Sequence, residues 1–283
     1  MKPFRDTLPP LTPITMGTGG ATDPANPDQH TVVRRAMESG IGFHVADYGG
    51  GVYTVLERAF KEAPSQVPHC IFKLDGLGPD LFRASVEDAL KRTGVKRIDI
   101  GQICGNPVGV EMEPLAEAMV AAKDEGLVGN YIMDVVWTYS PKVIAALQDD
   151  LFDGYIFYYS PTERQVSEEA NDLMITRHAN ALAMRTFGGR DGANYMTAAD
   201  GSPIRAKLEA AYEASGCLSR VEFCVRFPLS LPHVRTTIGS TGNLGHLEAF
   251  LEAGRDAKPL PQPIIDQILA LHRAQDDERA HHP

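Results

Sequence analysis

The sequence predicts an α/β fold, a single (β/α)8 TIM barrel running through residues 1–283. Three observations predict it. Short apolar runs alternate with amphipathic stretches eight times along 283 residues, which is the content of a barrel of eight strand–helix units. No linker or low-complexity segment divides the chain. The Gly-rich turn of a doubly wound sheet is also incomplete. MGTGGAT at 16–22 puts Thr22 where the last glycine of G-x-G-x-x-G belongs, and Asp23, Pro24 and Pro27 stand where its helix would begin.

The elements follow in order. Residues 12–17 (TPITMG) read as the first strand, and TVVRRAMESG as its helix, stopped by Gly40. GFHVAD at 42–47 is the second strand and 52–60 (VYTVLERAF) its helix. CIFK at 70–73 is the third strand. In its helix, DLFRASVEDALKRTG, the apolar residues Leu81, Phe82, Val86, Ala89 and Leu90 fall three and four apart, on one face. RIDIGQI at 97–103 and 113–123 form the fourth pair, 131–136 and 141–147 the fifth, 154–159 and 168–178 the sixth. ALAMR at 181–185 is the seventh strand. A long Gly- and Asp-containing loop, 186–203, separates it from helical sequence reaching Phe227. RTTIG at 235–239 is the eighth strand, followed by a helix at 244–254. An appended helix is expected at about 263–275, and a solvated tail beyond Asp276.

Composition narrows the function. Lys and Arg total 27 against 37 Asp and Glu, a net charge of −10, which argues against general nucleic-acid binding. No apolar run approaches the ~20 residues of a membrane span. The first residues, MKPFRD, lack the apolar core of a signal peptide. Four scattered cysteines make neither a disulfide scaffold nor a zinc ribbon. The expectation is a reduced, cytoplasmic protein with a small-molecule substrate, no nucleic acid, no membrane and no metal. Self-association into a homo-oligomer is left open.

Barrel enzymes build their sites at the C-terminal ends of the strands. Here those ends bring His44, Asp47, Tyr48, Lys73, Cys104, Asn106, Arg185, Gly239, Ser240 and Thr241 to one mouth. A phenol is a poor acid at neutral pH, and a nearby ammonium stabilises the phenolate and lowers that pKa. Such a Tyr can protonate a carbonyl oxygen as hydride reaches carbon. Each residue also has a plainer reading. Asp47 is either the orienting partner of Lys73 or a structural ion. His44 is either a site residue or a satisfied core histidine. Cys104 is more simply a pocket-lining apolar residue than a nucleophile. Arg185 either receives a phosphate or acidic substrate or pairs with a carboxylate. The loop GGRDGANYMTAADGS, with Arg190, Asp191, Asn194 and Tyr195, offers hydrogen bonds to a polyol or is plain surface.

Several motifs resemble one family along nearly the whole chain. HVADYGG is similar to D-T-A-x-x-Y-G. SVEDALKRTGVKRIDIGQICGNP is similar to S-L-x-R-L-G-x-x-Y-I-D-L-x-x-x-H-x-P. ALAMRTFGG is similar to I-A-M-K-P-L-G-G, and IGSTGNLGHLEAFLEAG resembles a phosphate-binding loop with its helix. The family is that of the aldo-keto reductases, barrels that bind a nicotinamide dinucleotide and reduce carbonyls with an Asp, Tyr, Lys and His set. The resemblance implies Tyr48 as the Tyr, across a one-residue deletion, and Lys73 as the Lys. It puts His44 in the register of the Asp, with Asp47 three residues on as a substitute. Cys104 stands at the His, and Asn106 is a candidate substrate donor. For the cofactor, NAD or NADP, it implies Tyr159, Arg185, Gly239, Ser240, Thr241 and His246. The Ser-Asn pair and the strand-six Gln of the family are replaced by MDVVW and Ile156. No Lys or Arg lies between Gly239 and Leu251 to grip a 2′-phosphate, which tilts the expectation toward NAD. The function expected is an NAD(P)-dependent oxidoreductase for a small polar carbonyl or alcohol, a sugar among them. The alternatives are acid–base lyase or isomerase chemistry without the dinucleotide, and a non-catalytic binding barrel.

Overall fold

A computed structural model of the chain describes residues 8–47, 49–104, 112–135, 151–188, 194–197 and 203–281. The strands are β1 (Ile14–Gly17), β2 (Gly42–Val45), β3 (Cys70–Asp75), β4 (Ile98–Cys104), β5 (Val128–Asp134), β6 (Gly154–Ser160), β7 (Glu163–Arg164), β8 (Ala181–Met184) and β9 (Val234–Ser240). The helices are α1 (Pro27–Glu38), α2 (Gly51–Glu62), α3 (Pro79–Thr93), α4 (Met112–Asp124), α5 (Glu168–Thr176), α6 (Pro203–Ala214), α7 (Arg220–Leu229), α8 (Leu244–Arg255) and α9 (Gln262–His281).

All strands but β7 lie parallel in the order β5-β4-β3-β2-β1-β9-β8-β6, and β5 pairs again with β6. The sheet therefore closes into an eight-stranded barrel. Closure is set by register: Ile132 pairs with Gly154 across β5–β6, and Gly17 with Ser240 across β1–β9. Closure leaves no parallel strand with a bare edge. The strands are buried on both faces, which is why they read as continuous apolar runs rather than alternating ones.

Local chemistry fixes the helix starts. Asn26, Ser167, Ser219 and Asn243 each accept a hydrogen bond from a backbone N–H in the first turn of α1, α5, α7 and α8. Gly94 ends α3 in the left-handed conformation, φ 74°.

Several boundaries differ from the sequence expectation. The fifth strand starts and ends earlier, at Val128 and Asp134 rather than 131 and 136, so Asp134 is its last residue. The helical stretch before the eighth barrel strand is two helices, α6 and α7, broken at Gly216 (φ 72°). β7 was not expected; it folds back antiparallel on Tyr159 and Ser160. α9 runs to His281 instead of giving way to a tail at Asp276. The helix expected at 141–147 lies outside the described residues.

Candidate active site

The strand C-termini gather a polar chain inside the barrel mouth. His44 Nε2 meets Gln102 Oε1 at 2.5 Å. Gln102 Nε2 donates to Asp134 Oδ2 at 2.8 Å. The Cys104 thiol points at the same carboxylate oxygen, 3.9 Å away. Because the amide nitrogen of Gln102 is engaged by a carboxylate, its oxygen faces His44. His44 therefore donates through Nε2 and keeps Nδ1 as a lone pair. Lys73 lies level with Gln102 in the β3–β4 register. Burial first, then the Lys73 charge, lowers the His44 pKa to about 4. The ring is neutral at physiological pH. Burial, and next the Asp134 carboxylate, pushes the Cys104 thiol up to about 12, with Lys73 opposing. Cys104 is thus a protonated thiol lining the site, not a thiolate nucleophile.

Lys73 and His44 open into a cavity of about 340 Å³ also lined by Gly17, Thr18, Tyr158, Arg185, Gly239 and Ser240. Thr18 Oγ1 donates to the His44 carbonyl and accepts from Ala46 N, tying the ends of β1 and β2 together. A larger hollow of about 910 Å³ lies at the opposite end, among Gly42, Cys70 and Asp99 at the strand beginnings. In barrels that end carries stability rather than chemistry.

The structure moves several expected residues. Asp47 does not serve Lys73. Its carboxylate pairs with Arg92 of α3 at 2.7 Å and accepts from Val52 N at the start of α2. This is the structural ion pair of the two readings. Tyr159 is turned away from the cavity. It is buried against Phe227 of α7 and His272 of α9, with ring centroids 5.7 Å from each, and burial raises its phenol pKa. Successive strand residues point to opposite faces, so the aromatic on the cavity is its neighbour Tyr158. Thr241 bonds within its own loop, to Asn243. His246 sits exposed in the first turn of α8, its N–H taken by the Asn243 cap. Tyr195 is a fully buried anchor whose hydroxyl donates to Glu209, whereas Asn194 reaches the cavity. Tyr48 and Asn106 lie outside the described residues, as do Arg190 and Asp191.

The sequence reading missed Gln102, Asp134 and Tyr158. Gln102 was findable: it stands two residues before Cys104 and so shares its face of β4. Asp134 was hidden by a strand placed too far along the chain.

No family model and no curated protein matches the chain. Solved structures do resemble it. The holo form of an aldo-keto reductase from Bacillus halodurans is 20% identical, with a TM-score of 0.72 over 96% of this chain and 97% of that one. An aldo-keto reductase from Klebsiella pneumoniae in complex with NADPH is 16% identical, with a TM-score of 0.71 over 96% and 95%. Aldose reductase from Giardia lamblia is 16% identical, with a TM-score of 0.70 over 93% of each chain. At these identities the likeness establishes the shared fold.

Proposed function

We propose that the chain is a nicotinamide-dinucleotide-dependent oxidoreductase for a small polar carbonyl or alcohol. The observation that carries this reading is Lys73, set with neutral His44 in the same cavity that Arg185, Gly239 and Ser240 line. The residues fit such a group. Gly17, Gly19 and Gly239 keep that wall bare, and a Cβ at Gly19 would stand 3.2 Å from Ser240 Oγ, narrowing the groove. The Asn243 cap takes up His246 N at the start of α8, which leaves the N–H groups of Leu244 and Gly245 to face a pyrophosphate. The dinucleotide, when bound, would supply the hydride.

The chain's own residues would do the rest. Tyr48 would carry the proton to or from the substrate oxygen. Lys73 would lower the Tyr48 pKa toward neutrality. His44, where the family has an acid, is neutral and brings no negative charge. Gln102 and Asp134 hold His44 in place, and Cys104 shapes the carbonyl pocket. The outer side of α8 carries Glu248, bound to Arg35 at 2.6 Å. With no cation between Gly239 and Leu251, NAD(H) is the favoured form.

Calorimetric titration with NADH and NADPH tests the reading. Saturable binding near micromolar, about 8 kcal/mol, with NADH the tighter, is expected. In that case Tyr48→Phe should abolish turnover of an identified substrate. Absence of binding at millimolar dinucleotide would overturn the redox reading and leave cofactor-free acid–base chemistry.

A further inference from the structure

Arg185 follows β8 with a φ of +56°, a left-handed conformation that costs an arginine roughly 1 kcal/mol. Such strain persists where surrounding structure enforces it, and it concentrates at ligand clamps. Here the enforcing groups are visible. The guanidinium lies over the Tyr158 ring, 3.7 Å from its centroid. Its Nη1 is 3.9 Å from Glu163 Oε1, beyond hydrogen-bond length. The other Glu163 oxygen accepts from Gln165 Nε2 at 2.8 Å, so the carboxylate is held from behind. Stacking uses the flat face of a guanidinium, not its N–H edge. Stacking therefore leaves that edge free of the Tyr158 ring, on a residue that lines the cavity and makes no short bond to Glu163.

The charge pattern is as specific. The chain carries −10 overall, yet among the described residues the ionised side chains lining this cavity are Lys73 and Arg185, both cations. A low-dielectric cleft of one sign in an oppositely charged protein concentrates ligands of the opposite sign. A planar fork matches a planar carboxylate through two parallel hydrogen bonds. In the proposed function a pyrophosphate would be received by Ser240 and the first N–H groups of α8.

We propose that Arg185, stacked on Tyr158, is a carboxylate clamp and that the substrate is a carbonyl compound or alcohol bearing a carboxylate. Lys73 then addresses the reacting end and Arg185 the anionic end. The proposal rests on the oxidoreductase reading for the reaction but not for the binding.

The experiment measures binding of two matched pairs, pyruvate against acetone and D-glucuronate against D-glucose, by calorimetry with and without NADH. The wild type should prefer the carboxylate of each pair by about tenfold or more. Arg185→Gln should erase that preference and leave the neutral partners unchanged. Arg185→Lys, which keeps charge but loses the stacked fork, should fall between. Circular dichroism confirms that both variants fold. No preference in the wild type, or an undiminished preference in Arg185→Gln, would overturn the clamp. So would a variant that loses NADH and inorganic pyrophosphate but keeps the preference, which assigns Arg185 to the dinucleotide. An Arg185-dependent preference without dinucleotide binding would keep the clamp and sink only the redox reading.

Discussion

At the scale of single residues, two acids exchange the roles that the strand ends suggest. Asp47 is close in sequence to the Tyr48 that Lys73 is expected to serve, but it is spent on Arg92 and the α2 start. Asp134, much further along, reaches the barrel interior through Gln102. Asp47→Asn should therefore act on stability. Losing a charge-assisted bond costs about 1–3 kcal/mol, read as a lower urea midpoint, while kcat/KM stays within a few-fold. Lys73→Met should instead act on turnover, lowering kcat by roughly 10²–10⁴. A collapse of kcat in Asp47→Asn would return that carboxylate to the site. The distinction was not legible in the sequence. Asp47 and Lys73 lie near the ends of neighbouring strands, but the direction of the Asp47 side chain, two residues past β2, depends on where α3 brings Arg92.

At the scale of elements, most of the architecture was legible and one register was not. β3, β6 and β8 fall within a residue or two of their expected limits, because buried parallel strands are apolar throughout and bounded by turn residues. The same continuity hides which face is which. In Phe157-Tyr158-Tyr159 each position is apolar enough for either side, and the family resemblance alone puts Tyr159 on the cofactor. In the structure Tyr158 lines the cavity and Tyr159 packs against Phe227 and His272. The β1 and β9 ends show a second element-level constraint. A Cβ on Gly20 would stand 2.2 Å from the Thr241 carbonyl carbon and 2.4 Å from Gly242 N. The two loops flanking the proposed phosphate site touch backbone to backbone. Gly20→Ala must push them apart, at about 1–3 kcal/mol, the usual cost of overpacking. It should lower the melting temperature and weaken NADH binding together. Unchanged affinity in a destabilised variant would show that the loop contact does not shape that site.

At the scale of the whole molecule, two buried imidazoles couple the barrel to pH. His44 sits in the mouth, and His233 stands just before β9 with both ring nitrogens buried and lacking a hydrogen bond among the described residues. Burial lowers each pKa to about 4. Between pH 6.5 and 4 the unfolded chain binds protons at these rings that the folded chain refuses. Stability should thus be level above pH 6.5 and fall as pH drops toward 4. The loss is on the order of 3 kcal/mol per ring at most. Urea midpoints at pH 7, 5.5 and 4.5 measure it. His44→Asn with His233→Leu should flatten the slope, and His233→Leu alone should cost nothing at pH 7, since it removes only unsatisfied polar atoms. An acid slope unchanged in the double variant would place its origin elsewhere.

The sequence by itself determined the barrel, the order of its eight strands, Lys73 on the third of them and the acidic balance that makes a cationic cavity notable. These are properties of runs and spacings, which local burial and helix periodicity fix before any distant contact forms. Only the tertiary structure decided that Asp134 joins the Gln102–His44 chain while Asp47 pairs with Arg92, that His44 is neutral, that Tyr158 and not Tyr159 lines the cavity, and that Arg185 stacks on Tyr158. Each depends on groups from strands and helices tens of residues apart meeting at one distance. Barrel closure sets that distance through the β1–β9 and β5–β6 registers, and no local pattern encodes it.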